Sequence, residues 1–155
     1  MAIIVQKYGG TSVGSIERIR HVAARVSDCY RQGHDVAVVV SAMSGQTDKL
    51  INLARELTPS PDPRELDVMV ATGEQVSVAL LAMALKESGT PARSLLAHQI
   101  PIRTDRAFTR ARILAIDAEN IRKVFKAREV AVVAGFQGIT ADNEITTLGR
   151  GGSDT

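Results

Sequence analysis

The chain has 155 residues, about one domain's length, with 45% hydrophobic and 23% charged residues. Its 19 Lys and Arg against 17 Asp and Glu leave a net charge of +2, and aromatics make up only 3%. That balance excludes a polybasic nucleic-acid binder and removes the stacking platforms of a single-strand binder. The one cysteine, Cys29, cannot close an internal disulfide, which favours a reducing compartment. Met1 leads into the Ile3-Ile-Val5 run without a basic leader or cleavage site, so a cytoplasmic protein without a signal peptide is expected. No apolar run reaches the roughly 18 residues of a membrane span, so no membrane partner is expected either.

Short apolar runs alternate with amphipathic stretches. Ala2–Val5 reads as a strand, and Ile16, Ile19, Val22, Ala23 and Val26 then repeat at three- and four-residue spacing, the face of a helix. Gly33 closes that helix as a C′ residue. Val36–Val40 is an unbroken β-branched run, as in a parallel strand buried on both faces. Leu50, Leu53, Ala54 and Leu57 mark the next helix, and Thr58-Pro-Ser-Pro-Asp-Pro63 must be a loop. Glu65–Lys86 reads as helical with a break near Thr72-Gly73, its second half burying Val76, Leu80, Met83 and Ala84. Ser94–Ala97, Arg112–Ile116 and Glu129–Ala134 read as strands, with a helix over Ala118–Ala127. Ile139–Leu148 alternates around Asp142-Asn143, the pattern of a β-hairpin. This alternation predicts an α/β fold with a mostly parallel sheet and helices on both faces.

Four glycine- or hydroxyl-rich segments sit where such a fold places ligand loops. In Lys7-Tyr-Gly-Gly-Thr-Ser12, Gly9 and Gly10 let backbone amides approach an anion, Thr11 and Ser12 add hydroxyls, and Lys7 adds a full charge. The same residues also suit a plain strand-to-helix turn, and they match neither the Walker nor the dinucleotide fingerprint. Ser41-Ala-Met-Ser-Gly-Gln-Thr47 is either a second ligand loop, with Ser41 and Thr47 as donors, or a helix cap. Glu74 either binds an ammonium group or is a solvated first-turn carboxylate, which these residues alone favour. Gly149-Arg-Gly-Gly-Ser-Asp-Thr155 sets one guanidinium fork among glycines, a ligand loop rather than a plain tail. Arg103, Arg106, Arg110 and Arg112 read as a solvated face. His21, His34 and His98 are isolated, and no residue spacing points to a metal site.

Taken in order, Lys7-Tyr-Gly-Gly-Thr-Ser12, Ser41-Ala-Met-Ser-Gly45, Ala71-Thr-Gly-Glu74, Ala134-Gly-Phe-Gln-Gly138 and Thr147-Leu-Gly-Arg-Gly-Gly-Ser-Asp154 resemble the aspartate kinases essentially end to end. The resemblance implies the amino-acid kinase fold, a three-layer αβα sandwich. It implies transfer of the γ-phosphoryl group of ATP, with Mg²⁺, to the side-chain carboxylate of L-aspartate, the entry to lysine, threonine and methionine synthesis. Lys7 and Asp154 match catalytic positions. Lys7, Gly9, Gly10, Thr11 and Ser12 match the phosphate loop, and Ser41, Thr47, Glu74, Phe136, Arg150, Ser153 and Asp154 match the aspartate pocket.

Members of that family continue past this glycine-rich loop into the strands that hold adenine and ribose and into C-terminal ACT regulatory domains. Residues 1–155 therefore correspond to an N-terminal aspartate- and phosphate-binding portion. Little kinase activity is expected of it alone, and self-association or a homo-oligomer is expected from uncovered sheet neighbours. Two competing readings are another amino-acid kinase, of the acetylglutamate, glutamate or uridylate type, and a non-catalytic ligand-binding piece of a complex.

Overall fold

The computed structural model describes residues 1–149 and 152. The elements run β1 (Ile3–Tyr8), α1 (Ile16–Arg31), β2 (Asp35–Val40), α2 (Gln46–Leu57), α3 (Pro63–Val70), α4 (Thr72–Glu87), β3 (Ala92–Leu95), β4 (Ile102–Thr104), β5 (Ile113–Ile116), α5 (Glu119–Lys126), β6 (Val130–Ala134), β7 (Gln137–Ile139) and β8 (Ile145–Thr147). The local signals explain most boundaries. Ser15 caps α1 by accepting the Arg18 amide at 3.2 Å, and Gly33 follows its end at φ +89°. Asp62 caps α3 from the Glu65 amide at 3.1 Å, with Pro63 in the first turn.

Two sheets organise the chain. The first is fully parallel, in the order β1-β2-β6-β3. Its central strands are the most apolar runs: every residue of β6 is buried, and Val36, Val38 and Val40 of β2 are inaccessible. On one side they pack against Ile19, Val22 and Val26 of α1 and Val78, Leu81 and Leu85 of α4. On the other, Ala37, Ala131 and Val133 meet Val124 and Phe125 of α5. Helices therefore cover both faces, the three layers expected, and each fully buried Val, Ile or Leu contributes roughly 1.5–3 kcal/mol. The second sheet is mixed, in the order β5-β4-β7-β8, with only β4 and β7 parallel. The predicted hairpin is β7–β8, turned through Asn143 at φ +63°.

Four expectations need correction. The buried face of α4 is Ser77, Val78, Leu81, Ala82 and Leu85, while Val76 and Met83 are exposed. From Val78 to Leu85 that helix is apolar all round, so spacing alone does not select the core side. In α2, Leu53 and Leu57 are exposed and no residue is fully buried. Strand β1 is an edge strand, with Ile3 and Val5 exposed. Finally, Pro63–Glu87 is long and apolar enough, by length and composition, to match a membrane span. It is broken at Ala71 into α3 and α4, and half of its most apolar window is buried inside the protein, as in a core helix.

The second sheet holds a tight contact at Gly138, where an added Cβ would come within 2.9 Å of the Ile102 carbonyl and collide with the Thr104 methyl. Gly138→Ala is expected to cost about 1–3 kcal/mol, read as a lower urea midpoint at unchanged m-value. An unchanged midpoint would show that β4 and β7 separate freely.

Candidate functional site

The loops that leave β1 and β2 meet at the carboxyl ends of those strands. Tyr8 O accepts the Ser41 amide at 3.2 Å, and Gly10 O accepts the Ser44 amide at 3.1 Å. A Cβ at Gly10 would sit 2.9 Å from the Ala42 carbonyl, so the two loops pack this closely only with glycine there. Beside them opens a cleft of about 550 Å³ whose polar lining includes Lys7, Ser41, Thr47, Asp67, Glu74 and Thr109. Phe136, at φ +64°, lines it as well.

Glu74 lies in the first turn of α4 and is 1% exposed, so the solvated-carboxylate reading is overturned. Its Oε1 accepts the Ala42 amide at 3.1 Å. Its Oε2 is buried without a hydrogen-bond partner among the described residues. Burial pushes its carboxyl from 4.5 to about 7, against the smaller opposing pull of the Ala42 amide and its own. A buried carboxyl with one unused oxygen, in the wall of a polar cleft, has the chemistry to accept from a cationic hydrogen-bond donor.

Asp67 is a cleft residue that sequence reasoning missed. It is inaccessible to solvent in α3, yet both of its carboxylate oxygens are hydrogen-bonded. Oδ2 accepts the Thr109 and Thr147 amides, each at 2.8 Å, and Oδ1 accepts the Thr147 hydroxyl at 2.6 Å. Burial raises its pKa and these three bonds lower it, burial being the larger effect. A carboxylate inside the apolar run Leu66-Asp67-Val68-Met69-Val70 was the available signal.

Of the remaining predicted residues, Lys7 and Gly10 line the cleft beside Ser41 and Thr47. Gly9 and Thr11 do not line it, and Ser12 opens instead onto a neighbouring groove with Ser15, Arg18 and His21. The Thr11 carbonyl accepts Arg18 Nη1 at 2.7 Å. Arg150, Ser153 and Asp154 lie outside the described residues. In the arginine run, Arg106 pairs with Asp142 and Glu144 and Arg103 bonds the Thr140 carbonyl. The Arg106 and Asp142 side chains are exposed, and such surface pairs contribute little.

The raised Glu74 value has a definite sign. The folded state holds the proton more tightly than the unfolded chain, so this stabilisation is full below pH 4.5 and is lost as pH rises through about 7. Glu74→Gln should therefore gain about 2–3 kcal/mol on wild type between pH 5 and pH 8 in urea unfolding. A difference that does not change with pH would contradict the burial of a titrating carboxyl.

The sequence profile of the amino acid kinase family matches residues 2–155. An aspartate kinase from Stutzerimonas stutzeri is 60% identical over the whole chain, and an aspartokinase from Geobacillus stearothermophilus 56%. The chain spans 38% of the length of each of these relatives. Among solved structures, an aspartate kinase from Synechocystis superposes with a TM-score of 0.81 at 47% identity, covering 99% of this chain and 25% of that one. Aspartokinase III from E. coli, in complex with aspartate and ADP, shares the fold with a TM-score of 0.77 at 23% identity, over 99% of this chain and 45% of that one. With a family profile spanning nearly every residue and the three-layer fold that goes with it, the chain belongs to the amino acid kinase family.

Proposed function

We propose that this chain forms the acceptor-substrate portion of an aspartate kinase, which moves the γ-phosphoryl group of ATP onto the side-chain carboxylate of L-aspartate. The observation that carries the reading is the unused Glu74 Oε2, buried in a cleft that Lys7, Ser41 and Thr47 also line. Relatives named aspartate kinase at 56–60% identity support it. Glu74 takes the substrate ammonium, and Ser41, Thr47 and Phe136 bound the rest of the amino acid. Arg150 receives the α-carboxylate as a bidentate fork, with Ser153 and Asp154 beside it in sequence.

The acceptor carboxylate is already ionised at pH 7, so the reaction needs no general base. A carboxylate oxygen attacks the γ-phosphorus, the bond to the β–γ bridging oxygen breaks, and ADP leaves with that electron pair. Catalysis then rests on alignment and on neutralising phosphate charge. Lys7, at the carboxyl end of β1, supplies a positive charge to the transferring group, and the Gly9–Ser12 turn supplies amides and hydroxyls. Mg²⁺ arrives with ATP as part of that substrate. The adenine and ribose contacts belong to a portion of the enzyme outside residues 1–155, so these residues alone turn over little substrate. The setting is cytoplasmic, and exposed Ile3 and Val5 of the β1 edge and Leu114 and Ile116 of β5 favour self-association.

The test is steady-state kinetics on a full-length protein carrying this segment, with aspartate and ATP varied separately. Lys7→Ala should lower kcat by about 10²-fold or more, because the lost charge acts mainly in the transition state. Wild-type turnover that requires ATP but not aspartate, or a preference for N-acetylglutamate, glutamate or UMP, would overturn the reading. Light scattering on the 155-residue chain should find dimers or larger species at high concentration; a strict monomer would contradict self-association.

A further inference from the structure

The Asp67 carboxylate joins three pieces of chain that are far apart in sequence. It sits on α3, and its three hydrogen bonds run to Thr109, in the turn before β5, and to Thr147, the last residue of β8. Thr109 has φ +68°, a conformation that a β-branched residue adopts only where its surroundings impose it. The bond from its own amide to Asp67 is one such restraint. The network continues outward: the Ala111 amide donates to the Thr147 carbonyl at 2.9 Å, and the Leu148 amide to the Phe136 carbonyl at 2.8 Å. Thr109, Phe136, Thr147 and Leu148 all line the cleft that residues of the Ser41–Thr47 loop also line. A second tie runs from Gln137 Nε2 to the Ala71 carbonyl at 3.1 Å, at the α3–α4 break just before Glu74. Thr147 precedes Arg150 by three residues in the sequence.

Outside this network, nothing in the aspartate-kinase reading gives Asp67 a task. Both of its oxygens already accept hydrogen bonds from the protein, and it is inaccessible to solvent, so it presents no acceptor to a substrate in the cleft. A buried carboxylate that carried no positional role would be destabilising relative to an apolar residue of similar size. We propose that Asp67 is a positioning residue for the amino-acid substrate: it locks the left-handed Thr109 turn to the end of β8 and so fixes the cleft wall that Thr109, Thr147 and Leu148 form. The role rests on the aspartate-kinase reading for the identity of the substrate, and on geometry alone for the lock.

The experiment compares wild type, Asp67→Ala, Asp67→Asn and Thr147→Val in a full-length protein carrying this segment. Asp67→Ala should raise the KM for aspartate about tenfold or more, with kcat and the KM for ATP within about threefold. Asp67→Asn should restore the aspartate KM to within about threefold of wild type. Its carboxamide oxygen can accept both amides while its NH₂ group donates to the Thr147 hydroxyl oxygen. An aspartate KM unchanged in Asp67→Ala, an equal rise in the ATP KM, or an Asn variant no better than Ala would each overturn the proposal. Should Asp67→Ala fail to fold, Thr147→Val removes only the hydroxyl bond, and an aspartate KM equal to wild type's would then overturn it. Amide hydrogen exchange at Thr109 and Thr147 reads the lock without any turnover. Both should exchange at least about tenfold faster in Asp67→Ala than in wild type. Wild-type exchange rates in the variant would overturn the lock. Absence of aspartate-dependent turnover in wild type, with exchange accelerated in the variant, would instead sink the substrate assignment and leave the lock standing.

Discussion

A carboxyl group buried on the first turn of α4 sets the terms for the rest of the site. Glu74 spends one oxygen on the Ala42 amide and leaves the other unused. Desolvating that group is costly, and one neutral hydrogen bond does not offset the cost. The parallel sheet and the two helices behind it make the arrangement tenable: α4 is anchored through Val78, Leu81 and Leu85 against β2 and β6, so its first turn cannot swing out to water. The packing of the Gly10 and Ala42 loops then closes the cleft beside it. A cationic donor entering the cleft would remove the penalty. The stored cost of the empty site thus becomes selectivity for an ammonium-bearing substrate.

Asp67 shows the opposite solution to the same problem. It is equally inaccessible, but both of its oxygens are hydrogen-bonded, by three bonds in all from distant parts of the chain. One carboxylate is kept hungry and the other is kept fed, and they sit seven residues apart across the break at Ala71. Satisfied buried networks rigidify, whereas unsatisfied ones await a ligand. The two groups therefore divide the labour of one cleft between shape and recognition.

Much of this architecture was legible in the residues. The β-branched runs of β2 and β6 announce strands buried on both faces; Ser15 and Asp62 mark helix starts by side-chain hydrogen bonds, and Gly33 marks a helix end by its positive φ. The order of the motifs pointed to the family. Other features depend on partners far away in sequence. The core side of α4 is hidden because Val78–Leu85 is an unbroken apolar run. Strand β4 has only three residues, too few to carry a period. First-turn glutamates are usually solvated, so the burial of Glu74 follows only from what packs around it. The bonds of Asp67 span 42 and 80 residues, a separation that no local pattern encodes.

The account stands most directly on the proton held at Glu74 when aspartate binds. Calorimetric titration of L-aspartate into a full-length protein carrying this segment, at pH 7 in two buffers of different ionisation enthalpy, counts the protons exchanged. A Glu74 carboxyl that titrates near 7 and meets a substrate ammonium should give up about half a proton per aspartate bound, and Glu74→Gln should release none. Equal proton counts in wild type and variant, with aspartate bound by both, would contradict the claim that this buried carboxyl receives the substrate's amino group.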